Sequence, residues 1–250
     1  MFTTVRSVRA PEESARSFVY RVLSMYIREM LLRPGEKLVE TDVAQALQVS
    51  RTPVHDTFSR LVRERMLRPV PRGAVVPPLD SDAILQLIWM YRTTCVAVLG
   101  ELYNNRPDSY ERLQRCVDHQ YEALRSGSLL RMPRLEHEFL AELFRLANRL
   151  PVLAAMNSTG GDLYRMLRML EDPRMWKYIV NRHADLVKAL EAHDHEAAVD
   201  ALDAEFDLLK PLLEESEYRH PSFFEKRQVR QPELCRADGA QGSARIESKS

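Results

Sequence analysis

Apolar residues recur at helical spacing in three segments before residue 64, and these segments predict three helices. The first helix ends at Arg33-Pro34-Gly35, and its apolar stripe consists of Val19, Val22, Leu23, Tyr26, Ile27 and Met30. The second segment is short, with apolar positions at Val39, Val43, Ala44 and Leu47. The third has a buried stripe of Val54, Phe58, Leu61 and Val62. Ser50 or Thr52 is expected to cap this third helix, and its first turn tolerates Pro53.

Short apolar runs interrupted by prolines and a glycine follow the third helix. Between Leu67 and Val76 the chain contains Pro69, Pro71 and Gly73, which predicts a two-stranded hairpin that turns near Arg72-Gly73. Pro77-Pro78 then marks a domain boundary, because a proline pair cannot continue a strand ladder and stiffens a linker.

Beyond Asp80 the chain reads as one helix after another, with no alternating strand pattern between them. The pattern predicts a mainly α protein, in which an N-terminal winged helix-turn-helix is followed by an antiparallel bundle of six or seven helices. The predicted division is a flexible arm over 1–13, the winged helix-turn-helix over 14–77, a helical domain over 78–220 and a disordered tail over 221–250.

The third helix has a polar face that suits DNA reading, formed by Arg51, Thr52, His55 and Ser59. A helix that follows a tight turn can lie in the major groove, with a basic wing beside it. Charge is divided accordingly, although the net charge is zero. Residues 1–79 carry 13 Lys and Arg against 8 Asp and Glu, whereas residues 80–220 carry 17 against 24. Because a basic excess neutralises phosphates, double-stranded DNA is the expected partner of the N-terminal part.

Composition bears on the compartment as well. The three cysteines have no metal-ligand spacing and form an odd set, so a disulfide framework is not expected. No apolar run approaches the roughly 18 residues that span a bilayer, and no secretory leader pattern opens the chain. The sequence therefore predicts a reduced, cytoplasmic protein without a membrane partner.

The residues around the turn carry a family resemblance. The pattern LxExxVAxxLxVSRTPVxxxFxRL begins at Leu38 and resembles the winged helix-turn-helix of GntR-type transcription regulators. The resemblance implies that Arg51, Thr52, Arg72 and Gly73 touch DNA. The full predicted DNA-contacting set also includes Arg33, Thr41, Ser50, His55 and Ser59. His55 stands where the family usually has arginine, and Met66 where it has glycine. A neutral imidazole cannot make the bidentate guanine contact of arginine, so a different operator is expected.

A second resemblance lies in the helical domain. LExxFLxxLFRLAN from Leu135 and HxxLVxALxxxDxxxAVxALxxEF from His183 resemble the effector-binding FCD domain of the FadR branch of that family. That family holds a metal with one Asp and three His. Its Asp falls on Glu136 and its three His fall on Leu140, His183 and Glu205. Its pocket arginine falls on Arg92.

These departures leave two interpretations of the effector site. Leu140 has no ligand atom, so the family's four-ligand site cannot form. The favoured interpretation is a metal-free pocket with no cofactor, where Arg92 and His183 bind an acidic ligand and Glu136 and Glu205 complete the site. In the alternative, Glu136, His183 and Glu205 hold a divalent metal weakly, with water in the remaining positions.

The expected function is a non-enzymatic transcription regulator, typically a repressor. It would bind a palindromic operator as a homodimer and respond to a small acidic metabolite. One alternative is a DNA-binding dimer without effector sensing. Another is a metal-dependent hydrolase using Glu136, His183 and Glu205, although the sequence has no nucleophile elbow, phosphate loop or His-Glu-x-x-His run.

Overall fold

A computed structural model describes residues 8–158 and 161–225, and it confirms the predicted mainly α architecture. Ten α-helices and one three-stranded sheet are found in these residues. The N-terminal elements are α1 (Ala15–Arg28), β1 (Lys37–Leu38), α2 (Glu40–Ala46), α3 (Arg51–Arg63), β2 (Arg68–Val70) and β3 (Gly73–Val75). Most of the predicted arm and most of the predicted tail lie outside the described residues.

The N-terminal helices form a core of their own. α1 and α3 pack against each other through fully or almost fully buried side chains, among them Phe18, Val22, Val54 and Leu61. The Ser14 hydroxyl accepts a bond from the backbone N–H of Ser17 and so caps α1. Ser50 is the N-cap residue of α3, but its side chain makes no capping bond, contrary to prediction. Ser50 is exposed to solvent instead.

The wing has one strand more than the two-stranded hairpin that was predicted. β1 pairs with β3, and β3 pairs with β2, all antiparallel, in the order β1-β3-β2. β3 is therefore the central strand, with Ala74 opposite both Leu38 and Pro69. Pro71 and Arg72 form the turn between β2 and β3, which agrees with the predicted turn near Arg72-Gly73.

Seven α-helices follow, at the upper end of the predicted number. They are α4 (Ser81–Asn104), α5 (Glu111–Arg125), α6 (Met132–Leu146), α7 (Leu150–Ser158), α8 (Asp162–Leu167), α9 (Pro173–Glu191) and α10 (His195–Arg219). Among the described residues α4 alone is long and apolar enough to cross a membrane. Its apolar positions, such as Ile84, Cys95 and Leu99, are instead buried against the other helices of the bundle.

The first five residues of the predicted tail belong to the folded helical domain. Pro221–Phe223 form a 3-10 helix, and Phe224 pairs with Leu79 in a parallel bridge. The Phe224 side chain is buried in the bundle core. The predicted tail therefore begins after these residues, because two aromatic rings, Phe223 and Phe224, pack on an apolar site that the local pattern does not reveal.

Polar contacts join the two domains where α1 meets α8. The Tyr164 hydroxyl donates to Glu29 Oε1 at 2.7 Å, and the Arg168 guanidinium lies 2.9 Å from Glu29 Oε2. Arg165 is almost completely buried; it donates to the Pro77 carbonyl at 2.9 Å and lies 2.9 Å from Asp162 Oδ1. The linker at Pro77 is therefore held by a charged side chain of the bundle.

Candidate functional site

The N-terminal part of α3 presents a polar surface to solvent. Arg51, Thr52 and His55 are exposed and Ser59 is half-buried, whereas the buried side chains of α3 are Val54, Thr57, Phe58 and Leu61. Helical spacing separates these two sets onto opposite faces. A free helix end with Arg51 on its first turn has the shape and charge to enter a DNA groove.

The remaining residues of the predicted DNA-contacting set are found around α3. Arg33 and Ser50 are exposed, and Thr41 on α2 is half-buried, with its hydroxyl donating to Asp42 Oδ1 at 3.0 Å. Arg72 is exposed at the wing turn, and Gly73 follows it. All nine residues belong to the N-terminal domain, and their contact with DNA stays a prediction.

His55 has a partner on the neighbouring helix. Its Nδ1 lies 2.9 Å from Glu40 Oε1 of α2. The hydrogen bond to this carboxylate and its negative charge raise the pKa of His55 above the ordinary value. The side chain that replaces the family's arginine therefore gains positive character from Glu40.

Three helices of the bundle bring three ionisable side chains together. Glu136 comes from α6, His183 from α9 and Glu205 from α10, and all three are buried. His183 Nε2 lies 3.3 Å from Glu136 Oε2 and 3.1 Å from Glu205 Oε2. Two buried carboxylates of like charge lie beside one imidazole. A proton on the imidazole or a metal ion between the three groups is required to offset their negative charge.

Neighbouring side chains hold the imidazole in one orientation. His183 Nδ1 lies 2.9 Å from Gln120 Oε1, and Gln120 Nε2 donates to the Leu135 carbonyl at 3.3 Å. Because the Gln120 amide is oriented by Leu135, Nδ1 is the donor and Nε2 points to the carboxylates. The Phe139 ring stacks on the imidazole with centroids 3.9 Å apart.

Electrostatics favour the protonated imidazole when no metal is bound. Burial alone lowers the pKa of His183, but the charges of Glu136 and Glu205 outweigh burial and raise this pKa to about 10. Burial also raises the pKa of Glu205, against the opposing effect of His183. Two carboxylates and one imidazolium leave the cluster with a negative charge.

The three ligand atoms also fit a divalent ion. They lie within 4.8 Å of one another, and neither Glu136 Oε2 nor His183 Nε2 has a hydrogen bond of good geometry among the described residues. With metal–ligand bonds of about 2.0–2.2 Å, neighbouring ligands of one ion lie about 3 Å apart, close to the distances from His183 Nε2. One imidazole and two carboxylates suit a hard or borderline ion.

A cavity of about 500 Å³ opens beside this cluster. Glu136 and Glu205 form part of its wall, and most of the remaining wall is apolar, including Leu163, Trp176, Ile179 and Phe206. Residues of α1 close one side. A cavity of this volume accommodates a small organic ligand.

Comparison with known families matches both halves of the chain. The family described as "Bacterial regulatory proteins, gntR family" matches residues 15–76, and the FCD domain matches residues 100–207. The chain belongs to the GntR family and carries an FCD domain. It is therefore a transcription regulator with a DNA-binding GntR domain and an effector-binding domain.

Individual relatives agree with this assignment. HTH-type transcriptional regulator McbR of Escherichia coli (strain K12) is 26% identical over 172 residues, which are 66% of this chain and 77% of McbR. The structure of E. coli McbR/YncC has a TM-score of 0.67 at 19% identity and covers 81% of this chain and 98% of that one. A transcriptional regulator GntR from Rhodococcus sp. RHA1 has a TM-score of 0.70 at 22% identity, covering 80% and 97%. Both structures support the fold.

Within the FCD domain the predicted effector residues divide into two groups. Glu136, His183 and Glu205 meet as predicted, whereas Arg92 lies elsewhere. Its Nε is 2.8 Å from Asp203 Oδ1 and its Nη1 is 2.8 Å from Asp207 Oδ1, and it is not among the residues that line the cavity. The structure therefore does not bring Arg92 to His183, since two aspartates of α10 hold its guanidinium at the surface. A role of Arg92 in binding the ligand stays a prediction.

Two further residues, Leu140 and Gln120, contribute to the FCD site. Leu140, at the family's lost ligand position, lines the cavity as an apolar side chain. Gln120, which holds the imidazole, was missed by sequence reasoning. A signal existed, because Gln120 occupies an apolar-stripe position of α5 between Val117 and Leu124 and is fully buried. A polar residue at a core position requires hydrogen-bond partners.

Proposed function

We propose that this GntR regulator is a cytoplasmic repressor. It binds a palindromic operator as a homodimer, and a small acidic metabolite in the FCD cavity changes its affinity for DNA. The observation that carries the effector proposal is the cavity of about 500 Å³, because its wall combines the buried cluster with residues of α1. α1 packs directly on α3, so a ligand in this cavity has a short physical path to the DNA-reading helix.

We further propose that Glu136, His183 and Glu205 hold a divalent ion weakly. The ion would replace the imidazolium proton, so the doubly negative pair of carboxylates would be neutralised by a doubly positive charge. When bound it would supply a Lewis-acidic centre with positions for water or for a ligand oxygen. Gln120 would keep Nε2 directed at the ion, and Leu140 would contribute only apolar surface.

Operator binding is the direct test of the regulator function. The protein should bind promoter DNA near its own gene with an affinity that falls steeply with salt, because phosphate contacts release counterions. Arg51→Ala should weaken this binding by about 1–3 kcal/mol if Arg51 contacts a base edge. Electrophoretic mobility shift and fluorescence anisotropy titrations over several salt concentrations measure both quantities.

The matched control is Arg125→Ala, since Arg125 is an exposed arginine on α5 of the bundle. Its operator affinity should equal that of the parent protein. Equal affinity for promoter and random DNA, or a flat response to salt, would contradict the regulator function.

Operator binding should also depend on pH through His55. Glu40 raises the pKa of His55, so the imidazolium persists to a higher pH than in a free histidine. DNA phosphates favour this cation, and operator affinity should fall as pH rises through the raised pKa of His55, which lies above the ordinary value of 6.5. His55→Gln should flatten the dependence, whereas His119→Gln on the exposed surface of α5 should leave it unchanged. A pH profile that survives His55→Gln would show that other groups cause it.

A further inference from the structure

The GntR domain itself forms part of the effector cavity. Ser24, Met25 and Arg28 of α1 and its C-cap residue Glu29 line it, together with residues of the FCD domain. Phe18 and Val22 of the same helix are buried in the core that α1 shares with α3. A ligand that fills the cavity therefore contacts both domains at once.

When no metal ion is bound, the two carboxylates of the buried cluster, Glu136 and Glu205, do not attract an acidic ligand. Arg92 lies outside the cavity and is paired with two aspartates. In the metal-free protein the cation for an acidic ligand therefore comes from another part of the wall.

Among the residues that the structure describes, Arg28 is the arginine of this wall that has no hydrogen-bond or ion-pair partner. Of the other arginines, Arg21 lies 2.7 Å from Glu13 Oε2, and Arg134 lies 2.9 Å from Glu138 Oε1. Arg28 makes no side-chain hydrogen bond or ion pair with any residue in 8–158 or 161–225.

The rest of the wall indicates the chemical character of the part of the ligand that does not carry the acid group. Trp176 and Ile179 of α9, Leu163 of α8 and Phe206 of α10 offer apolar surface. Tyr91 on α4 contributes a hydroxyl that is 2.6 Å from Asn157 Oδ1. Such a wall favours an apolar or aromatic body, because burying it removes apolar surface from water.

We propose that Arg28 of the GntR domain binds the carboxylate of an amphipathic acid whose apolar body lies in the FCD cavity. The ligand thereby bridges the two domains and stabilises one orientation of α1, and with it α3, relative to the bundle. This inference rests on the proposed effector function. It assigns the anion-binding residue to the DNA-binding domain, where the family resemblance places it at Arg92.

The test uses the full chain and a panel of carboxylic acids with their uncharged amides. The panel comprises hexanoate, octanoate, benzoate, phenylacetate and indole-3-acetate. An acid that binds the folded state should raise the melting temperature of the parent protein, whereas its amide should not. Arg28→Gln should weaken that acid's binding roughly tenfold to hundredfold, the loss expected for a hydrogen bond to a charged group. Arg28→Lys should recover part of it.

Operator binding provides the second measurement. Without acid, Arg28→Gln should bind the operator as the parent does, and the acid's effect on operator affinity should be lost. Arg125→Gln, an exposed arginine away from the cavity, should behave as the parent in both assays.

The failures are distinguishable. An acid that binds Arg28→Gln as tightly as the parent, or an amide that binds as well as its acid, would overturn the role of Arg28 and leave the effector function standing. If Arg28→Gln binds the operator more weakly than the parent without acid, Arg28 takes part in DNA binding, and its proposed role in binding the carboxylate is overturned too. If no acid in the panel raises the melting temperature, the acidic effector and the role of Arg28 both fall.

Discussion

Replacing His183 with alanine should destabilise the protein by about 3–5 kcal/mol, the usual result of leaving buried charges without their partner. The imidazole is 1% exposed and lies 3.1 and 3.3 Å from the carboxylates of Glu205 and Glu136. Without it two like charges face each other in the bundle core. Denaturant unfolding followed by circular dichroism in the presence of a chelator measures the loss.

Two controls separate this effect from simple side-chain loss. His119→Ala removes an exposed imidazole from α5 and should change stability by less than about 0.5 kcal/mol. Adding Glu205→Gln to His183→Ala removes one of the two repelling charges and should recover part of the stability. Equal unfolding free energies for His183→Ala and the parent would show that the carboxylates are neutral without His183.

The same side chain gives stability a defined pH dependence. The pKa of His183 is raised to about 10 in the folded protein, above its ordinary value of 6.5. A raised folded-state pKa of a base means that the stabilisation is fully present below the unfolded pKa and is lost as pH rises through the folded one. In chelator, stability should therefore fall between about pH 6.5 and about pH 10, and the His183→Ala protein should lack this component.

Metal binding should restore the stability that the protein loses at high pH. Mn²⁺ or Zn²⁺ added to the parent protein should raise its melting temperature, since an ion that binds only the folded state stabilises it. Calorimetry should give one ion per chain, and His183→Ala should abolish binding. An absence of binding would leave the proton as the only charge that balances the cluster.

Replacing Gly73 with alanine should disrupt the wing and abolish operator binding. Gly73 has a φ of +146°, and a Cβ at this position would lie 2.1 Å from the backbone oxygen of Leu38. The contact falls where β1 pairs with β3, so backbone of β1 would have to move. Backbone strain and overpacking each cost about 1–3 kcal/mol.

Gly127→Ala is the matched control for this variant. Gly127 also has a positive φ of +68°, but an added Cβ would meet nothing within 4 Å. This variant should carry only the modest cost of an unfavourable φ, about 1 kcal/mol, and bind the operator normally. Thermal unfolding and mobility shift assays compare the two, and a Gly73→Ala protein with intact operator affinity would contradict the close approach of β1. Gly73, predicted to contact DNA, thus has a structural reason to be glycine.

Local features were predictable where one segment contains the whole signal. The stripe of Val54, Phe58 and Leu61 identified α3 and its exposed face, because a period of 3.6 separates buried from exposed positions without knowledge of neighbours. β1 was missed for the converse reason. Two residues, Lys37 and Leu38, are too few to show alternation, and they form a strand only because β3 lies beside them.

The same distinction between local signals and tertiary packing applies to the residues of the effector site. The i and i+4 positions of α6 and the motif around His183 located three of its residues through the family resemblance. The resemblance placed the pocket arginine at Arg92, but which residues Arg92 faces depends on the packing of α10 against α4, where Asp203 and Asp207 hold it. Gln120 and Arg28 each come from another helix, and no spacing along the chain relates them to His183.

The sequence by itself determined that this protein is a two-part DNA-binding regulator, because helix periodicity, turn residues and the GntR motif are written in consecutive positions. Only the tertiary structure decided which charges meet. It excluded Arg92 from the cavity, oriented His183 through Gln120 and brought α1 to the cavity wall. The physical reason is that ion pairs and cavities are made by side chains from different helices, and their distances are set by how those helices pack.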